Sequence, residues 1–184
     1  MEDAATDDAV AESTVPAVKQ ALDLLARSAK SRATLAQALG RRHEPPDVAH
    51  ALERMEQLGL LDDRAWAEDY VKLRYQRRGW GRERLVAELR SRGIEQELAL
   101  SVVGRLVDDE GQEELARRLL ESFLASRDRS GGVAADPVAA DPAAADGVAA
   151  ARYLARRGFD EDLVARLVEP LLAEQLEDPV DPHG

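Results

Sequence analysis

The chain has 184 residues and a formal net charge of −11, and only 4% of it is aromatic, so a core must be built from Leu, Val and Ala, which suits packed helices better than sheet. It contains no cysteine, which excludes a disulfide scaffold and thiolate metal sites. The acidic start, Met1 to Glu12, is unlike a basic secretory leader, and no apolar run approaches the roughly 18 residues that span a bilayer, so a soluble cytoplasmic protein without membrane contact is expected.

Residues 1–16 carry five acids and no base, lack hydrophobic periodicity and end at Pro16, so they read as an acidic disordered tail. A first helix follows, with Val18, Leu22 and Leu25 spaced three and four apart and supported by Ala21 and Ala29. Ser31 offers an N-cap to a second helix with Leu35 and Leu39, ending near Arg42. Pro45 and Pro46 break the chain and open a third helix striped by Val48, Leu52, Met55 and Leu58, closed by Gly59. Asp62 caps a fourth helix that runs through Trp66, Tyr70, Leu73 and Arg77 to Gly79. Gly81 opens a fifth, with Leu85 and Leu89, which Gly93 stops; Leu98, Val102 and Leu106 mark a sixth. A seventh carries Leu115, Leu119 and Phe123. The pattern then gives way to Gly, Ala, Asp and Pro between Ser130 and Gly147, a composition that predicts a flexible insertion. Periodicity resumes at Tyr153 and Leu154, stops at Gly158, and returns in Leu163, Leu167 and Leu171, where Pro170 is expected to kink or end the last helix. The segment 173–184 is a second acidic tail.

An internal repeat organises these helices. Leu89-Arg90-Ser91-Arg92-Gly93-Ile94 aligns without a gap on Leu154-Ala155-Arg156-Arg157-Gly158-Phe159, and Glu97-Leu98 and Val102 align on Asp162-Leu163 and Leu167. The first unit joins through Leu39, Arg42, Asp47-Val48 and Leu52, but His43 and Glu44 stand where the other copies have Gly and an apolar residue, so its turn should differ. The shared pattern is a buried Leu, an Arg near the negative helix end and a Gly that supplies positive φ. The expected fold is therefore all-α: three tandem three-helix repeats, at 17–59, 60–107 and 108–172 with the insertion at 130–147, forming an elongated curved helical solenoid.

Nothing in the sequence points to catalysis. His43 and His50 lack metal-ligand spacing, Asp62-Asp63 reads as a helix start, and Gly79-Trp80-Gly81 lacks the Lys and Ser or Thr of a phosphate loop, so neither cofactor nor metal is expected. Charge is distributed unevenly instead. Between Lys19 and Arg42 six bases face Asp23 alone, and between Arg64 and Arg92 nine bases face four acids. Within the second run Arg74, Arg77, Arg78, Arg82, Arg84, Arg90 and Arg92, with Tyr75 and Trp80, form a mixture suited to an acidic protein surface or to weak binding of single- or double-stranded DNA. Trp66 and Tyr70, four apart, read as core. A helix-turn-helix reading, in which the 81–107 helix pair enters the major groove, is the competing possibility.

The block Gln57-Leu58-Gly59-Leu60-Leu61-Asp62-Asp63-Arg64-Ala65-Trp66-Ala67, followed by Val71, Arg74, Gly79 and Glu88 to Ile94, resembles the RecX family of bacterial recombination regulators, and the resemblance extends from about Lys19 to Leu172. Trp66 in place of a smaller aromatic, the 130–147 insertion and the acidic ends depart from the family pattern. The resemblance implies three tandem three-helix repeats and a negative regulator of recombination and the SOS response; separately, a monomer is expected. Its implied partner is the RecA filament on single-stranded DNA, whose strand exchange, ATP hydrolysis and coprotease activity it would inhibit. The family has no catalytic residues to carry over.

Overall fold

The computed structural model describes residues 3–129 and 142–173. All regular structure among them is helical: α1 (Asp3–Arg27), α2 (Arg32–Leu39), α3 (Pro45–Gln57), α4 (Asp63–Arg78), α5 (Arg82–Ser91), α6 (Gln96–Leu106), α7 (Asp109–Arg129), α8 (Pro142–Arg156) and α9 (Glu161–Ala173). The helices fall into two compact units, one of Met1–Val71 with Val86–Val102 and the other of Lys72–Leu85 with Val103–Gly184. The tail at 174–184 and residues 130–141 of the insertion lie outside the described residues.

Helix starts and stops follow local chemistry. The Ser31 hydroxyl accepts the Thr34 N–H at 3.2 Å, and Asp62 Oδ1 accepts the Arg64 and Ala65 N–H groups at 2.9 and 3.0 Å, each satisfying donors that a helix N-terminus leaves unpaired. Pro45 and Pro46 occupy the first turn of α3, where a missing N–H costs nothing. At the other ends Gly59, Gly79, Gly93 and Gly158 all have positive φ, between 60° and 79°. The aligned copies share one hydrogen-bond pattern: Ile94 N–H donates to the Leu89 carbonyl at 3.1 Å as Phe159 N–H does to Leu154 at 3.4 Å, while Gly93 and Gly158 donate to Arg90 and Ala155, both at 2.9 Å. The first copy differs as expected. His43 N–H donates to Leu39 at 3.1 Å, and no residue other than glycine among those described has positive φ.

In the first unit Ala17, Ala21, Leu35, Leu39, Val48, Ala51, Leu52, Met55 and Leu61 form one buried cluster, with α1 packed chiefly on α3. In the second, Leu115, Ala116 and Leu120 of α7, Ala150 and Leu154 of α8, Phe159, and Leu163, Val164 and Val168 of α9 form another.

Several expectations need correction. Helix α1 starts at Asp3 and passes through Pro16, so residues 3–16 are helical. Pro16 removes one hydrogen bond without ending the helix. The buried face of α1 runs through Ala17 and Ala21, whereas Leu22 is 40% exposed, because small side chains let helices approach closely. Leu58 and Leu73 are likewise exposed. Helix α8 begins at Pro142, so 142–147 of the expected insertion is helical, with proline at the first position and three alanines behind it. Gly147 is buried against α9, a Cβ there lying 2.5 Å from the Leu172 side chain. Helix α9 continues through Pro170 to Ala173.

Candidate partner-binding surface

The end of α4 and the start of α5 supply six bases and one acid between Lys72 and Leu85. Gly79 ends α4 at φ 60°, and a Cβ there would sit 3.0 Å from Leu119 Cδ1. Gly81 is demanded by proximity: its Cβ would fall 2.2 Å from the Gly158 carbonyl oxygen. The Gly79-Trp80-Gly81 turn is thus a place of close backbone approach. Gly81 N–H donates to the Arg157 carbonyl at 2.7 Å and Glu83 N–H to the Gly158 carbonyl at 3.1 Å, so backbone oxygens of the turn after α8 satisfy the donors at the start of α5.

The arginines around this turn divide into two kinds. Arg84 lies over the Trp80 ring at 4.4 Å and donates from Nη1 to the Arg156 carbonyl at 2.8 Å. Arg74 lies over the same ring at 5.4 Å. Arg82 donates from Nε to the Val107 carbonyl at 2.7 Å and pairs with Asp109. These three are engaged inside the unit. Arg77 and Arg78 are exposed and make no side-chain hydrogen bond, ion pair or ring contact among the described residues. They sit in the last turn of α4, where positive charge suits the helix dipole, and their planar forks can take a carboxylate or phosphate in two parallel hydrogen bonds.

Of the two aromatic candidates, Trp80 is half-buried between guanidinium groups, and each such contact contributes about 0.5–1 kcal/mol at a partly exposed site. Tyr75 packs against the apolar cluster of the second unit. Burial, and then the nearby Asp108 carboxylate, push its phenol above the ordinary tyrosine range. Arg90 and Arg92 belong to the first unit. Arg90 is exposed, whereas Arg92 lies 4.9 Å over Tyr70 and pairs with Glu88 at 3.5 Å. Trp66 and Tyr70 stack at 5.1 Å and are half-buried, so they are less enclosed than core residues.

Sequence reasoning passed over the role of the α8 turn. Arg152 and Arg156 are exposed, and Arg157 lies 4.4 Å over Tyr153 and donates from Nη1 to the Arg78 carbonyl at 3.2 Å. The signal was present in the alignment of Arg92-Gly93 on Arg157-Gly158. Among the described residues no group of three or more His, Cys, Asp or Glu is placed to hold a metal, and no helix is long and apolar enough to cross a membrane. The arrangement offers binding through exposed cations on a braced turn.

Comparison with known proteins gives this surface a context. Residues 62–102 match the family model described as RecX, second three-helix domain. The regulatory protein RecX of Streptomyces coelicolor is 35% identical over 158 residues, covering 85% of this chain and 78% of that protein. The same-named protein of Mycolicibacterium vanbaalenii is 33% identical over 157 residues, covering 85% and 82%. The fold is shared with the crystal structure of RecX from Lactobacillus salivarius, at a TM-score of 0.71 and 19% identity over 89% of this chain and 99% of that one.

Proposed function

The chain belongs to the RecX family of regulatory proteins, and from that premise we propose that it is a negative regulator of recombination and the SOS response that binds the RecA filament on single-stranded DNA. Bound there, it inhibits strand exchange, ATP hydrolysis and coprotease activity. The observation that carries the reading is the exposed Arg77-Arg78 pair on a turn braced by Arg157 from the turn after α8 of the same unit, set in a family named for regulation. Cations that no carboxylate among the described residues pairs with keep their charge for a partner, and such charge raises the encounter rate and fixes register. The protein acts as a cytoplasmic monomer in this reading, and its contact with DNA is weak and steeply salt-dependent.

A major-groove reading by α6 has less support, since Gln96–Leu106 carries a single base, Arg105, and few side chains able to address base edges. Purified protein added at near-stoichiometric amounts to RecA on single-stranded DNA is expected to suppress ATP hydrolysis and strand exchange. Unchanged rates with a sequence-specific shift of duplex DNA in the absence of RecA would favour the groove-binding alternative.

A further inference from the structure

The exposed pair Arg77-Arg78 does not stand on α4 alone. Arg157, more than seventy residues later, donates to the Arg78 carbonyl at 3.2 Å, and the Arg157 and Gly158 carbonyls take the Gly81 and Glu83 N–H groups. Arg157 is itself held: it lies 4.4 Å over the Tyr153 ring, Tyr153 stacks on Phe123 at 4.5 Å, and Arg127 lies 5.8 Å over Phe123 while its Nε bonds Asp146 at 2.5 Å. A column of two stacked rings capped at each end by a guanidinium group thus runs along α7 and α8, and its Arg157 end reaches the carbonyl of a surface arginine. Arg157 Nε is buried and has no acceptor among the described residues, so the side chain is held here by its ring contact and by the Nη1 bond to the Arg78 carbonyl.

We infer that Arg157 is a positioning residue: from the turn after α8 it fixes the end of α4 and the Trp80 turn, and thereby sets the direction in which Arg77 and Arg78 meet an acidic partner surface. The inference rests on the filament-binding reading for its consequence, though not for its geometry. A fixed backbone at the end of α4 loses less freedom on binding than a mobile one, so loosening the clamp weakens binding without removing a contact.

The test uses the full chain with Trp66→Phe, so that Trp80 is its one indole, and compares Arg157→Gln, Arg157→Lys and Val168→Ala. Val168 lies in the apolar cluster of the same unit and supplies a variant destabilised without touching the turn. Trp80 fluorescence and thermal melting are read for each, together with affinity for RecA filaments on single-stranded DNA. Arg157→Gln is expected to alter Trp80 emission and to weaken filament binding about tenfold, at a melting temperature no lower than that of Val168→Ala. Arg157→Lys, which keeps a cation and a donor, should return affinity to within about threefold of the parent. Val168→Ala should leave emission and affinity at parental values. If Arg157→Gln behaves like Val168→Ala in both readouts, the inference is wrong. If the parent itself binds no filament, the filament reading fails separately, and Trp80 emission alone then decides whether Arg157 fixes the turn.

Discussion

Two junctions in this molecule solve one problem by different chemistry. In the first unit the Gly93 turn after α5 abuts the start of α2: Ser31 donates its hydroxyl to the Arg92 carbonyl at 2.7 Å, and a Cβ on Gly93 would fall 2.1 Å from Ala33 Cβ. In the second unit the Gly158 turn after α8 abuts the start of α5, and a Cβ on Gly158 would fall 2.3 Å from the Arg84 backbone nitrogen. The first contact is mediated by side chains and the second by backbone on backbone. A hydroxyl cap can adjust by rotating, whereas amide-to-carbonyl bonds fix both chains together. The rigid junction is the one beside Trp80, Arg77 and Arg78.

Glycine substitution separates the two most sharply. Gly158→Ala should cost about 3 kcal/mol or more by chemical denaturation, because positive φ and a backbone clash act together and no neighbouring side chain can be trimmed to relieve it. Gly93→Ala should cost about 2–3 kcal/mol, and Ala33→Gly in the same chain should recover roughly 1 kcal/mol of that, since the obstacle is a methyl group. Equal rescue at both sites would erase the distinction. Ser31→Ala should cost about 1–2 kcal/mol, removing the N-cap of α2 and a donor to the Arg92 carbonyl in one step.

The stops and caps were legible because few residues can make them. Gly59, Gly93 and Gly158 take a φ that side chains resist, and Ser31 and Asp62 carry short oxygens placed to accept helix N–H groups. The buried face of α1 is hidden from periodicity, which weighs Leu22 above Ala17 and Ala21, although close helix packing favours the small residues. Residues 142–147 read as linker by composition, since Ala, Asp, Pro and Gly suit a flexible segment, while their order puts proline at a helix start. The arginines could be counted but not sorted. Arg82 bonds Val107 and Arg84 bonds Arg156, partners 25 and 72 residues away that no local pattern names.

A smaller effect concerns Asp63, whose Oδ1 accepts the Arg32 N–H at 2.6 Å in the first unit. Burial raises its carboxyl above the ordinary aspartate value, against the lowering effect of the Arg32 N–H and charge. A raised folded-state value means that the folded protein binds the proton more tightly, so stability falls as pH rises from the ordinary aspartate range through the folded value. Asp63→Asn keeps an acceptor for Arg32 and removes the disfavoured charge. It should be slightly more stable than the parent at pH 7, by a margin that solvent screening of this half-exposed carboxyl keeps well below about 1 kcal/mol, with the difference shrinking as pH falls through the carboxylate range; a constant difference across pH would contradict this.

The central claim is that exposed cations on the braced α4 turn carry partner binding, and reversing their charge tests it most directly. Arg77→Glu with Arg78→Glu should preserve the helical fold and lower the melting temperature only modestly, because neither side chain has a partner among the described residues and only the favourable charge at the end of α4 is reversed. The same variant should lose more than about tenfold in affinity for RecA filaments on single-stranded DNA. A folded variant that still bound and inhibited RecA as the parent does would contradict the account.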